Sequence, residues 1–143
     1  MMRYPPELTE PMRKELVQLG VEELRTPEQV DEALANRSGT TLVFVNSVCG
    51  CAAGMARPGL ALAMRHDRLP DRITTVFAGV DTAATQKVRG YFDDYPPSSP
   101  QVALFRDGRL VQLIQRHQIE GTSPEAVAEK LTSAFDAHCA PAS

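Results

Sequence analysis

Thr41-Leu42-Val43-Phe44-Val45-Asn46-Ser47-Val48-Cys49-Gly50-Cys51-Ala52-Ala53-Gly54 is the stretch from which the rest of the chain can be read. Its opening apolar and β-branched run predicts a buried strand at 41–46, and the run from Ala52 predicts a helix reaching about His66. Two thiols therefore fall at a strand-to-helix turn. Such a turn leaves backbone N–H groups unpaired and sets the positive end of a helix dipole beside the sulfurs, which favours thiolate. A cysteine in that position has its pKa lowered from about 8.5 into a range of about 3.5–7.5, and the thiolate is the form that attacks disulfides. The pattern points to thiol–disulfide exchange.

The spacing of the thiols adds to this. Positions i and i+2 of a helix face different ways, so two helical cysteines one residue apart could not bond easily. One of them, most simply Cys49, must lie outside the helix, and Gly50 supplies the backbone freedom to close so small a ring. A Cys49–Cys51 bridge is expected to be strained and readily reduced. That suits lifting a small thiol cap from a client protein or isomerising a wrong bridge.

At 143 residues the chain is expected to form one domain, 1–143, with a helical N-terminal extension over about 1–20 and a tail frayed from Ala137, most of all over 139–143. The 43% apolar content is enough for a core, and a net charge of −3 argues against a nucleic-acid or membrane-surface partner. The start, Met1 to Glu7, shows no apolar signal core, and no apolar run approaches the roughly 20 residues of a spanning helix. Three cysteines are too few for a disulfide scaffold, so a reducing cytoplasm is expected.

Along the chain, Met12, Leu16 and Leu19 mark a helix at 7–19 that Gly20 ends. Val21–Leu24 reads as a short strand. Thr26-Pro27-Glu28-Gln29 is a capping-box start for a helix that buries Val30, Ala33 and Leu34 and stops near Asn36–Gly39. Pro58 should kink the helix after the thiols. A strand is expected over Ile73–Val80, and a helix over Thr82–Phe92 with Asp81 as N-cap. A loop covers 93–100. Strands 101–106 and 109–116 are joined by Asp107-Gly108, a two-residue hairpin signal. A final helix opens at Thr122-Ser123-Pro124-Glu125 and buries Val127, Leu131 and Phe135. The order implies an α/β fold with right-handed crossovers between parallel strands and an antiparallel hairpin at one edge.

Thiols at a strand–helix turn, followed by a proline-ended loop and a hairpin, resemble the thioredoxin superfamily. Within it the chain closely resembles the bacilliredoxins, small bacterial proteins with a Cys-Gly-Cys motif. The shared segments are Glu10–Arg13, Glu22–Thr26, Val45–Gly54 running on to Ala56-Arg57-Pro58, Tyr95–Pro100 and Arg116–Gly121. The resemblance implies a thioredoxin-like three-layer sandwich, a central mixed β-sheet of four to five strands with helices on both faces. It also implies removal of bacillithiol from S-bacillithiolated proteins, with disulfide isomerase activity. By that analogy Cys49 is the nucleophile and Cys51 the resolving or modulating thiol. Pro100 is the superfamily's cis proline, and Ser99 before it pairs with an extended client backbone. The thioredoxin Cys-x-x-Cys is absent, so the resolving partner cannot be transferred from thioredoxin.

On this reading no bound cofactor or metal is required. The co-substrate is bacillithiol or another low-molecular-weight thiol, and the partners are thiolated or disulfide-containing clients and a recycling reductase. The protein is expected to be a monomer or weak homodimer. Asn46 and Ser47 either hydrogen-bond a thiolate and substrate or simply finish the strand. Arg57 either raises the potential at the thiols or is solvated, and Cys139 is either an exposed bystander or an accessory redox thiol. His117 is expected to be structural, His66 to answer a helix dipole, and Asp93 and Asp94 to be solvated. Two rival readings are a metal or iron–sulfur carrier that uses the same thiols, and a non-catalytic binding module that holds a partner strand at the hairpin edge.

Overall fold

Strand β2 (Thr40–Asn46) runs through the centre of a five-stranded sheet, and all seven of its residues are buried. The computed structural model describes residues 4–35 and 38–140. The sheet order is β1 (Glu22–Glu23), β3 (Arg72–Phe77), β2, β4 (Gln101–Arg106), β5 (Arg109–Ile114). β1 and β2 each pair parallel with β3, while β4 runs antiparallel to both β2 and β5. Asp107 and Gly108 both take positive φ, 54° and 79°, as a tight hairpin turn requires.

Period-two alternation along β2 builds a core on each face. Leu42 and Phe44 point into a cluster with Leu16 of α1 (Pro6–Val17), Leu60 of α3 (Arg57–Ala63), and Val127, Leu131 and Phe135 of the C-terminal helix Pro124–His138. Val43 and Val45 point the other way, against Leu24 just after β1, Val30 and Leu34 of α2 (Pro27–Leu34), and Ala84 and Val88 of α4 (Thr82–Gly90). The result is the expected three-layer sandwich with helices on both sides of a mixed sheet. Thr26 caps α2 through the full capping box with Gln29.

Several boundaries differ from the sequence expectation. The helix after the thiols is two pieces, a π-helical turn at Ala52–Ala56 and then α3, which stops at Ala63 and leaves His66 beyond it. The change from the π-turn to α3 falls just before Pro58, which sits in the first turn of α3, where its missing N–H costs least. β3 ends at Phe77 because Asp81 turns back on it: its carboxylate accepts from the Phe77 amide at 3.3 Å. The same carboxylate is gripped by both ends of the Arg13 guanidinium, at 2.7 and 3.1 Å, so Asp81 does not cap α4 with its side chain.

β5 stops at Ile114 rather than residue 116, because Gln115 starts a four-residue helix, α5 (Arg116–Ile119), that the sequence reading lacked. The final helix, α6 (Pro124–His138), does not fray at Ala137: it runs to His138, and Cys139 after it is buried. The α2 end expected near Asn36–Gly39 falls earlier, at Leu34; Asn36, Arg37 and residues 141–143 lie outside the described residues.

Candidate active site

The C-terminal end of β2 delivers its chain into a turn where Cys49 is not helical and Cys51 already is, with φ −63° and ψ −38°. That is the arrangement which the one-residue spacing demanded. All three cysteines are free. Gly50 between the two thiols is exposed, with open space around its Cα.

Ser47 folds its hydroxyl over the turn. It accepts from the Cys49 amide at 3.3 Å and donates to Cys49 Sγ at 3.2 Å. Burial alone would push the Cys49 thiol up. The Ser47 hydroxyl, the amides of Ala52 and Cys51 and the charge of Arg116 outweigh it, so Cys49 titrates below its ordinary value. Cys51 moves the opposite way, raised first by burial and then by the negative charge of Cys49, with Glu120 adding to it. Its Sγ lies 3.6 Å from Glu120 Oε2 and is 8% exposed. The pair is thus asymmetric, Cys49 partly exposed and easier to ionise than an ordinary thiol, Cys51 covered and harder to ionise.

The Ser99–Pro100 peptide is cis, as the resemblance implied. The Ser99 carbonyl lies 3.9 Å from Cys49 Sγ and accepts from Arg116 Nη1 at 3.4 Å. A cleft of about 360 Å³ opens beside Cys49, and Ser47, Ser99, Arg89, Arg116 and Tyr4 help to line it.

Other expected residues take different places. Asn46, 1% exposed, finishes the strand. Its Oδ1 accepts from the Ser47 amide and from Arg57 Nη1, both at 2.9 Å, and Asn46 is not among the residues that line the cleft at Cys49. Arg57 is neither solvated nor at the sulfurs. It is 3% exposed, and it also donates to the Ser47 carbonyl at 3.1 Å and to Glu15 at 2.6 Å, tying the end of β2 to α1. Cys139 is no exposed thiol. It is 5% exposed beside Thr40 and is raised chiefly by burial. Thr40 begins β2 and Cys49 follows its end, so about 20 Å of strand separates the two thiols and Cys139 has no direct access to Cys49.

His117 is exposed on α5, His66 pairs with Asp136 at 2.7 Å, and Asp93 and Asp94 are exposed. Among the described residues, no three His, Cys, Asp or Glu side chains gather into a group suited to a metal ion. No helix of the described residues is long and apolar enough to cross a membrane.

Sequence reasoning missed Arg116, Glu120 and Arg89. The first two form an i,i+4 pair at 3.2 Å inside a shared segment already quoted, but a four-residue helix is too short for periodicity to show. Arg89 carries no local signal at all, since only the fold brings α4 to the cleft.

A family model described as disulphide isomerase matches residues 4–139. A bacilliredoxin of Halalkalibacterium halodurans is 49% identical over 136 residues, 95% of this chain and 94% of that protein. A bacilliredoxin of Geobacillus kaustophilus is 53% identical over 133 residues, 93% and 91% of the two chains. Among solved structures, oxidised thioredoxin O2 from Arabidopsis thaliana superposes with a TM-score of 0.54 at 13% identity, covering 82% of this chain and 96% of that one. The thioredoxin of Malassezia sympodialis gives 0.54 at 12%, covering 82% and 90%. Half-identity across nearly the whole length, on a thioredoxin fold with its thiols at the strand–helix turn, makes this chain a member of the bacilliredoxin family of thiol–disulfide oxidoreductases.

Proposed function

We propose that the protein removes a low-molecular-weight thiol, bacillithiol or a similar small thiol, from mixed disulfides on client proteins, with rearrangement of wrong protein disulfides as a second outcome of the same chemistry. The observation that carries this reading is the asymmetry of the pair: Cys49 lowered and open to a cleft, Cys51 raised and covered.

Cys49 thiolate attacks the small-thiol sulfur of the mixed disulfide. A Cys49–small-thiol disulfide forms, the old S–S bond breaks, and the client cysteine leaves as thiolate to take a proton from water. Ser47, the two amides and Arg116 hold the attacking charge before the reaction, so no reorganisation is needed when it begins. Cys51 then attacks Cys49 Sγ or modulates its release: in the attack a Cys49–Cys51 bond forms, the bond from Cys49 to the small thiol breaks, and the small thiol leaves as thiolate and takes up the proton that Cys51 gives up. A second small thiol or a recycling reductase restores the reduced pair. Ser99 and Pro100 face Cys49 from across the turn and offer the place where an extended client chain lies. The redox work rests on the cysteines and needs no bound cofactor, and the cytoplasm is its natural setting.

Intact mass spectrometry after exposure to an oxidised small thiol tests the assignment. Wild type is expected to gain a single adduct and lose it on adding more thiol. Cys49→Ser is expected to gain none, and Cys51→Ser to accumulate the adduct. Full exchange activity in Cys49→Ser would contradict the choice of nucleophile.

A further inference from the structure

We propose that the cleft beside Cys49 is a carboxylate-recognition site, in which Arg89 and Arg116 hold the acidic groups of the small thiol while its sulfur meets Cys49. This rests on the redox reading above and adds to it the chemical class of the thiol.

Two guanidinium groups and no carboxylate line the cleft. Arg89 is the informative one. It is half-buried in α4, with Nη2 donating to the Ser98 carbonyl at 2.6 Å and Nε to Gln101 Oε1 at 3.3 Å. Both acceptors are neutral, and among the described residues no carboxylate lies within 4.0 Å of it. The other well-covered arginines are each paired: Arg13 with Asp81 at 2.7 Å, Arg57 with Glu15 at 2.6 Å, Arg72 with Glu22 at 2.7 Å. Burial disfavours the Arg89 charge; two neutral acceptors and its place in the last turn of α4 offset part of that cost, and no carboxylate does. Holding Ser98 and Gln101 needs only N–H donors, not a charge, so the remaining demand is for an anion. Arg116 is tethered to Glu120 and the Ser99 carbonyl on the facing side of the cleft.

The shape suits a small molecule. About 360 Å³ falls within the roughly 300–1,000 Å³ of ordinary ligand pockets. A small thiol that carries a carboxylate can set that group on a guanidinium fork while its sulfur reaches Cys49. Arg116 is already paired with Glu120, so Arg89 is the guanidinium of the cleft that has no carboxylate partner among the described residues. The reaction is the ordinary exchange: Cys49 thiolate bonds one sulfur of the anionic disulfide, the S–S bond breaks, and the other half leaves as thiolate.

The test measures the rate of Cys49 mixed-disulfide formation with three small disulfides: 3,3′-dithiodipropionate (two carboxylates), 2-hydroxyethyl disulfide (neutral) and cystamine (two ammonium groups). Each rate is divided by that of an unstructured cysteine peptide, which removes intrinsic reactivity. Wild type is expected to favour the dicarboxylate over the neutral disulfide by about tenfold at low salt, and less as salt rises. Arg89→Gln is expected to bring that ratio close to the peptide's, with Arg89→Lys keeping part of it. A flat series in the wild-type protein overturns the proposal without requiring any variant to fold, and so does a ratio unchanged in a folded Arg89→Gln. Reaction with none of the three would contradict the redox reading itself and the cleft assignment with it.

Discussion

The Ser47 hydroxyl accepts a hydrogen bond from the Cys49 amide and donates one to the Cys49 sulfur, so replacing it with Ala removes a donor aimed at that sulfur. Ser47→Ala is expected to slow exchange at neutral pH by about three- to tenfold and to move the pH profile of Cys49 reactivity upward. The sign for stability follows. Cys49 titrates lower folded than unfolded, so its thiolate stabilises the reduced fold above the ordinary thiol range, and that contribution is lost as pH falls through the folded value. Denaturation midpoints of the reduced protein against pH should therefore be flatter in Ser47→Ala; an unchanged slope would count against the hydroxyl. Cys139 is expected to resist alkylation at neutral pH until the protein unfolds, because burial raises its thiol and closes access. At this scale the place of Cys49 and Cys51 at the turn was legible in the sequence, since a strand–turn–helix signature is local. Cys139 was not: only the close approach of Thr40 to the end of α6 reveals that it is buried.

Helix contacts set how firmly the turn is held. Gly59 of α3 lies against α6, where an added Cβ would sit 2.6 Å from the Val127 side chain and 3.1 Å from the Pro124 carbonyl. Gly59→Ala is thus expected to cost about 1–3 kcal/mol in chemical denaturation, through overpacking rather than backbone strain. On the other face, Tyr91 just after α4 donates to Asp31 of α2 at 2.6 Å. Burial first, and then that carboxylate, push the Tyr91 phenol up to about 12. Raised above its unfolded value of about 10, it favours the fold below about pH 10, and this is lost as pH climbs towards about 12. Tyr91→Phe is expected to remove that alkaline dependence from the stability profile, and a profile matching wild type would contradict the link. Elements with a strong cap or turn signal, such as α2 with its Thr26–Gln29 box and the Asp107-Gly108 hairpin, were readable from the chain. The π-turn at Ala52–Ala56 was not readable, because neither apolar periodicity nor Pro58 distinguishes it from an ordinary helical turn.

The sheet order brings segments distant in sequence to one end of β2: Ser47 and the thiols directly after it, Ser99 and Pro100 before β4, Arg116 after β5, and Arg89 from the far layer. The family resemblance marked the Tyr95–Pro100 and Arg116–Gly121 segments without saying why they belong together. The answer is the convergence of their backbone carbonyl and guanidinium groups on a single sulfur. Glu10–Arg13 and Glu22–Thr26 serve the frame instead: Arg13 binds Asp81 and Glu23, locking α1 and β1 to the end of β3. The whole molecule therefore shifts the two thiols in opposite directions, Cys49 towards easier ionisation and Cys51 away from it. Site-resolved mass spectrometry of iodoacetamide labelling across pH tests this most directly. Cys49 labelling should inflect below the ordinary thiol value of about 8.5 and Cys51 labelling above it; a Cys49 inflection at or above that value would contradict the account.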